Sequence, residues 1–413
     1  MFILFHLLYN SIINVREKPQ TMSSLSKQTT PRIFSIADRR CPSQPTGGPG
    51  GVNLRLYLAN EKYHLIESIY HVFEGKVLNH EKCWEFALLN EEKDRYEELS
   101  NYYRLLDNQF EFIASDIFIF HDAVSAFIFL QNFKTDKTVL VYHQQGSLYR
   151  EWEYFTGLQN AERKEEQDSL LISVLQQVAY VAFPSFGAKD SLIASEPSME
   201  PYVTCSGLAI LYNGFDNPGY LEAVTPSVQK AIAHIHDFTG ITFITVATLN
   251  AAKGVEQIPQ FLAALRRKGI NFQWIIIGDG ITANLLQEQI DIYEINDTII
   301  WFREHLPHND ILSLLQYTDF YLLTHRFSIF DFATIEAMSY ENVPILTPVG
   351  GNFEFIQDDN GVLLYHLDSC EELTYFIKDK SLSDLKKKNA LIANTRFSEK
   401  AFLEGYLELI QEF

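Results

Sequence analysis

The sequence predicts an α/β protein with two Rossmann-like domains, on three observations. From about residue 241 onward, short β-branched apolar runs alternate with stretches of helical period; the first half repeats the alternation less regularly; and glycine-rich or polar clusters stand just after the apolar runs. Runs that are apolar throughout suit strands buried on both faces, and helices between them supply the crossovers that parallel pairing requires. Open sheets of this kind bind ligands beyond the carboxyl ends of their strands, which is where the clusters fall. With 413 residues, 46% of them apolar and 14% aromatic, the chain can bury large cores and is long enough for two domains.

Taken in order, residues 1–30 read as an N-terminal extension. The first fifteen are apolar but lack a basic flank and a small-residue cleavage site, and they are too short to span a bilayer, so membrane contact is expected to be peripheral at most. Met22, ahead of a polar Ser/Thr/Gln stretch, is an alternative start to Met1. An N-terminal domain is expected over 31–216, with strands at Arg32 to Ile36, Ile117 to Phe120, Thr138 to Tyr142, Ala179 to Phe183 and Leu208 to Tyr212. Between them, Trp84 to Leu106 has a helical period that places Leu88, Leu99, Tyr103 and Leu106 on a core-facing stripe. Pro218, Gly219 and Pro226 interrupt the pattern and mark a linker over 217–239. The C-terminal domain, 240–396, carries strands at Ile241 to Ala247, Gln273 to Ile277, Thr298 to Phe302, Asp319 to Leu323, Val343 to Thr347 and Val362 to Leu364. Residues 397–413 form a last helix with Phe402, Tyr406 and Leu409 on a face that needs a packing partner.

Composition excludes some classes. A balance of 33 basic against 53 acidic side chains, net -20, repels phosphate backbones, so nucleic acid is not expected as a partner. Cys41, Cys83, Cys205 and Cys370 lie far apart and form no CxxC pair, which signals neither a zinc site nor a disulfide framework and fits a cytoplasmic location.

The candidate site residues follow strand ends. Thr46-Gly47-Gly48-Pro49-Gly50-Gly51 leads into an apolar-periodic helix, and glycines there let backbone approach an anion at the helix N-terminus. His121 and Asp122 follow one strand and His143 the next, converging on one crevice. Lys253 stands at a helix start, where the macrodipole disfavours a cation; a bound phosphate supplies a reason for it. At such an exposed junction its removal is expected to change stability by no more than about 0.5 kcal/mol. A helix beginning near Asp331 puts Glu336 in its second turn, placed to accept hydrogen bonds from ribose hydroxyls, while Ser328 stays in the preceding loop.

The order of these signals resembles the retaining glycosyltransferases of the two-Rossmann GT-B fold, the family 4 type known as glycosyl transferases group 1. Asn213-Gly214-Phe215-Asp216, Lys253-Gly254, Gly278-Asp279-Gly280, Glu336-Ala337-Met338 and Pro344 through Gly351 with Glu354 stand in that family's order and spacing. The resemblance covers about 140 residues well and the first half only loosely. It implies two domains facing across a cleft, with a UDP- or GDP-linked sugar donor bound by the second and a glycan, lipid or protein acceptor by the first. Lys253 would neutralise the diphosphate, Glu336 hold the ribose, Gly50 and Gly51 approach the phosphates and His121 contact the donor sugar. Thr248, Gly254, Ser328 and Phe330 occupy further donor-binding positions. The anomeric configuration would be retained, with no cofactor and no metal. Two positions depart from the pattern: Thr248 stands where the family has an arginine and Ser328 where it has a glutamate. A hexosyltransferase is therefore one reading, and a catalytically impaired GT-B-like subunit that binds acceptor or activates a partner glycosyltransferase is the other.

Overall fold

A computed structural model describes residues 20–21, 31–43, 48–90, 92–219, 223–357, 359–378 and 380–413. Most of the expected extension, with Met1 and Met22, and Thr46 and Gly47 of the glycine-rich segment lie outside them. Two compact units emerge. The first gathers the described residues up to Pro184 with Ala188–Tyr212 and Phe402–Phe413, and the second gathers Ser185–Gly187 with Asn213–Ala401.

The first unit is built on an eight-stranded sheet. Its strands are β1 (Ile33–Arg40), β2 (Ile69–Glu74), β3 (Lys76–Leu78), β4 (Cys83–Glu85), β5 (Ile117–Phe120), β6 (Thr138–Val141), β7 (Tyr180–Phe183) and β8 (Gly207–Ile210), in the spatial order β8-β7-β6-β5-β1-β2-β3-β4. The first six of that order pair in parallel, and β3 and β4 add an antiparallel edge. From β1 the chain steps outward to β2 and then returns past β1 to β5, so the winding reverses between β1 and β5. Central strands β5 and β6 are buried at every position, as continuous apolar runs predict. An aromatic cluster fills one side of the sheet, with Phe118 and Phe129 ring centroids 4.6 Å apart and Phe34 and Phe112 5.0 Å apart.

Helix α1 (Gly48–Tyr63) starts inside the glycine-rich segment and has no carboxylate in its first turn. The helix expected from Trp84 is corrected at its start: Trp84 lies in β4, opposite Val77, and α2 (Arg95–Phe110) begins ten residues later at the N-cap Asp94, whose carboxylate accepts from Glu97 N. Leu99, Tyr103 and Leu106 face the core as the period requires, but Leu88 is exposed.

The second unit carries six parallel strands, β9 (Ile241–Val246), β10 (Phe272–Ile277), β11 (Ile299–Phe302), β12 (Phe320–Leu323), β13 (Val343–Leu346) and β14 (Val362–Leu363). Their order is β11-β10-β9-β12-β13-β14, the arrangement of a dinucleotide-binding Rossmann sheet with its reversal between the first and fourth strands. Each strand falls within one residue of its expected bounds. Two buried polar side chains of the sheet are linked in a chain: Trp274 Nε1 donates to Thr245 Oγ1 at 2.9 Å, and Thr245 donates to the Leu322 carbonyl at 2.6 Å. The units divide at Tyr212/Asn213 rather than within 217–239, and that segment holds α3 (Pro226–Asp237), whose Val228, Ala231 and Ile235 are buried. Helix α4 (Phe332–Ser339) follows β12, and α5 (Leu382–Arg396) packs against it.

The final helix, α6 (Glu399–Gln411), returns to the first unit from Phe402 onward and buries Phe402, Leu403, Tyr406 and Leu409. Among the described residues no helix is long and apolar enough to cross a membrane.

Candidate functional site

In the second unit the reversal between β9 and β12 brings together the loops that follow them. Gly254 has φ +61°, and a Cβ there would sit 2.2 Å from the Thr324 carbonyl oxygen, so glycine is what lets the two loops touch. Thr324 Oγ1 donates to Gly254 O at 2.6 Å and Arg326 N to Ala252 O at 2.8 Å. Lys253 is thereby held against the N-terminus of α4. Its ammonium lies 2.6 Å from Asp331 Oδ1 and 3.3 Å from His325 Nε2. The other oxygen of Asp331 caps the helix, accepting from Thr334 N at 3.1 Å and Thr334 Oγ1 at 3.0 Å, and it also accepts from Tyr321 OH at 3.2 Å.

Charge in this cluster follows from geometry. Burial pushes the Asp331 carboxyl up, but the Lys253 ammonium and His325 beside it hold it well below the usual carboxylate range. Burial, together with the Lys253 charge, lowers His325, keeping the ring neutral. Burial and the Asp331 charge raise the Tyr321 phenol, which stays a donor.

Glu336 is buried on α4, with Oε1 3.0 Å from Nε2 of the half-exposed His308. Burial and the Glu336 charge push Tyr340 up to about 12. The loop after β13 closes on the loop before α4: Gly351 N donates to Ser328 O at 3.0 Å, and a Cβ at Gly350, φ +49°, would meet that oxygen at 1.8 Å. Ser328 Oγ is buried without a partner. Gly278 and Gly280 make the same kind of approach, to the carbonyls of Ala247 and Leu249.

Several expected residues take other roles. Phe330, expected at a donor-binding position, is buried in the core between Phe355 at 4.5 Å and Phe397 at 5.3 Å. Arg326, two residues before Ser328, is held by Glu256 at 2.5 Å and by the Ala251 carbonyl. Thr248 is exposed on the loop after β9. Gly50 and Gly51 lie within the first turn of α1 and are buried, with Gly50 packed on Arg39, so they serve helix-to-strand packing instead of forming an open loop.

His121 requires the clearest correction. It is fully buried, and both ring nitrogens are used inside the first unit: Nε2 lies 2.9 Å from Ser35 Oγ and Nδ1 3.1 Å from His143 Nε2. The proton directions can be deduced. Asn53 Nδ2 donates to the carbonyls of Ser35 and Val72, so Asn53 Oδ1 is the acceptor for Ser35 Oγ at 2.8 Å and for His71 Nδ1 at 2.9 Å. With its proton committed to Asn53, Ser35 accepts from His121 Nε2, and His121 Nδ1 accepts from His143 Nε2. Burial lowers all three imidazoles, His71 to about 3, His143 to about 4 and His121 well below its ordinary value. His121, expected at a crevice, is thus a neutral, buried ring with both nitrogens engaged inside the first unit, where it ties the ends of two strands together.

Asp331 and His325 beside Lys253, and His308 beside Glu336, are neighbours that the sequence does not single out. Asp331 was visible as a helix start, but its bond to a lysine 78 residues earlier depends on which strands are neighbours.

Comparison with known proteins agrees with this architecture. Residues 230–396 match the family model of glycosyl transferases group 1. The alpha-maltose-1-phosphate synthase of Mycolicibacterium smegmatis is 20% identical over 235 residues, which is 55% of this chain and 58% of that protein, so the match spans little more than half of the relative's length. Among solved structures, sucrose-phosphate synthase from Thermosynechococcus elongatus superposes with a TM-score of 0.65 at 14% identity, covering 93% of this chain and 99% of that one. The Anabaena HepE protein, in complex with UDP and glucose, gives 0.62 at 15% identity over 93% of this chain and 100% of that one. This chain has the GT-B fold of two Rossmann-like domains, and its residues 230–396 are a glycosyl transferases group 1 domain.

Proposed function

We propose that the protein is a glycosyltransferase that uses a nucleotide-sugar donor, UDP- or GDP-linked, and transfers a hexose to an acceptor hydroxyl with retention. The observation that carries this reading is the convergence, within the group 1 domain, of Lys253, the α4 N-terminus and Glu336 at the β9/β12 reversal. A helix N-terminus and a lysine together suit a diphosphate, and a buried carboxylate one turn further along suits paired ribose hydroxyls. Transfer then depends on stabilising charge that develops on the departing diphosphate, which Lys253 and the helix amides supply without a metal. The acceptor is a glycan, lipid or protein hydroxyl.

A second reading is favoured by specific observations: Lys253 is paired with Asp331, and Thr248 and Ser328 supply neither the cation nor the carboxylate expected at those positions. In that reading the chain is an impaired subunit that presents acceptor to, or activates, a partner glycosyltransferase. Purified protein assayed for hydrolysis and transfer against a panel of UDP- and GDP-sugars separates the two. Turnover by the chain alone supports the first. Absence of any turnover, with a co-purifying transferase that loses activity when this chain is removed, supports the second.

A further inference from the structure

The donors that would hold a phosphate at this site are already engaged by a side chain of the protein itself. Asp331 accepts the Lys253 ammonium on one oxygen and the Thr334 amide, Thr334 hydroxyl and Tyr321 hydroxyl on the other. It therefore holds both the lysine and the first turn of α4, the two features that make the place attractive to an anion. Its carboxylate is nearly buried, whereas the Lys253 side chain remains about a quarter exposed and can be reached from solvent. Arg326 is tied to Glu256 and offers no spare charge.

We propose that Asp331 is an internal anion that occupies the phosphate position at Lys253 and competes with the donor diphosphate, so that it sets the affinity for nucleotide. This rests on the donor-site reading above and adds to it a residue that governs whether the site is open. Binding a diphosphate here requires Lys253 to exchange the Asp331 carboxylate for a phosphate oxygen, with two anions then sharing one lysine. Contact between like charges at a few ångströms is unfavourable, so the wild-type chain binds nucleoside diphosphates weakly for reasons unrelated to base or ribose recognition.

The test is titration calorimetry of the full chain with UDP, GDP and uridine, for wild type, Asp331→Asn and Asp331→Ser. Asparagine and serine both retain helix N-cap ability, so α4 stays capped while the charge is removed; thermal melts identify whichever variant is folded. The expected result is a gain in affinity for UDP or GDP of about tenfold or more, given the charge separation involved, with uridine unchanged and the gain abolished when Lys253→Ala is added. Nucleoside diphosphate binding that is measurable in wild type but equal or weaker in the folded variants overturns the proposal while leaving the donor site standing. An equal gain for uridine also overturns it, since the effect would not act through phosphate. No binding of any nucleotide by wild type or variants overturns both this proposal and the donor-site reading.

Discussion

Lys253 sits 2.6 Å from a carboxylate that is 8% exposed, which changes what its removal should do. An exposed lysine at a loop-to-helix junction would be replaceable at little cost. Here Lys253→Ala leaves Asp331 nearly buried without its cation, and breaking such a pair destabilises because the remaining charge has lost its compensation. The expected cost is about 1–3 kcal/mol, below the value for fully buried pairs because water can reach the vacated space. Urea unfolding of wild type and variant measures it, and a change within 0.5 kcal/mol, the range of surface sites, would show that the pair contributes nothing. Glu336 makes a separate prediction. Glu336→Ala removes a buried acceptor one turn into α4 and is expected to weaken nucleotide binding by about 1–3 kcal/mol, the cost of unmade charge-assisted hydrogen bonds; unchanged affinity in a folded variant removes the ribose assignment.

At the scale of elements, α6 shows how an amphipathic face finds its place. Tyr406 is fully buried in the first unit, 6.3 Å from the His121 ring and 5.1 Å from Phe402, and its hydroxyl has no hydrogen-bond partner. An unpartnered buried hydroxyl opposes folding even as the ring favours it. Tyr406→Phe is therefore expected to be neutral or stabilising, whereas Tyr406→Ala should cost about 3–5 kcal/mol through the cavity it leaves. Thermal denaturation of the two variants distinguishes them, and a loss in Tyr406→Phe comparable to that in Tyr406→Ala would mean that the hydroxyl is engaged. The loops of the second unit work differently, through backbone contact at Gly254, Gly350 and Gly278, so small residues there determine where Lys253 and Ser328 are held.

For the whole molecule, buried titratable groups determine the response to acid. His71, His143, His121 and His325 all have folded values below the ordinary 6.5, so between that value and their folded values the unfolded chain binds protons that the folded chain refuses. Their contribution is complete above about pH 6.5 and is lost as pH falls toward 4 and 3. Glu151 acts in the opposite sense: burial pushes it up to about 7, so the folded chain keeps a proton that the unfolded chain releases above about 4.5, and its contribution is lost as pH rises through 7. The histidines outnumber it. Each uncompensated proton is worth about 1.4 kcal/mol per pH unit, so unfolding free energy should be lower at pH 5 than at pH 7 by a few kcal/mol. Denaturant titrations at the two values test this, and equal stability at both is the contrary result.

What the sequence determined by itself was whatever depends on neighbours along the chain. Continuous apolar runs such as Phe320–Leu323, buried at every position, located the strands of the second unit because a strand buried on both faces carries few polar positions to disguise it. The period of Leu99, Tyr103 and Leu106 located α2, and the motif order from Asn213 to Glu354 located the group 1 domain. β2 escaped because His71 interrupts its apolar run, and that histidine is tolerated only because Asn53, from α1, accepts its proton. Tertiary structure alone decided which polar groups meet. Two residues 78 positions apart became an ion pair when β9 and β12 became neighbours, and His121, expected at a crevice, became a buried link between strand ends when β5 was placed beside β1. Strand order is a property of the whole sheet, set by packing between segments distant in sequence, and the charge and accessibility of a side chain follow from it.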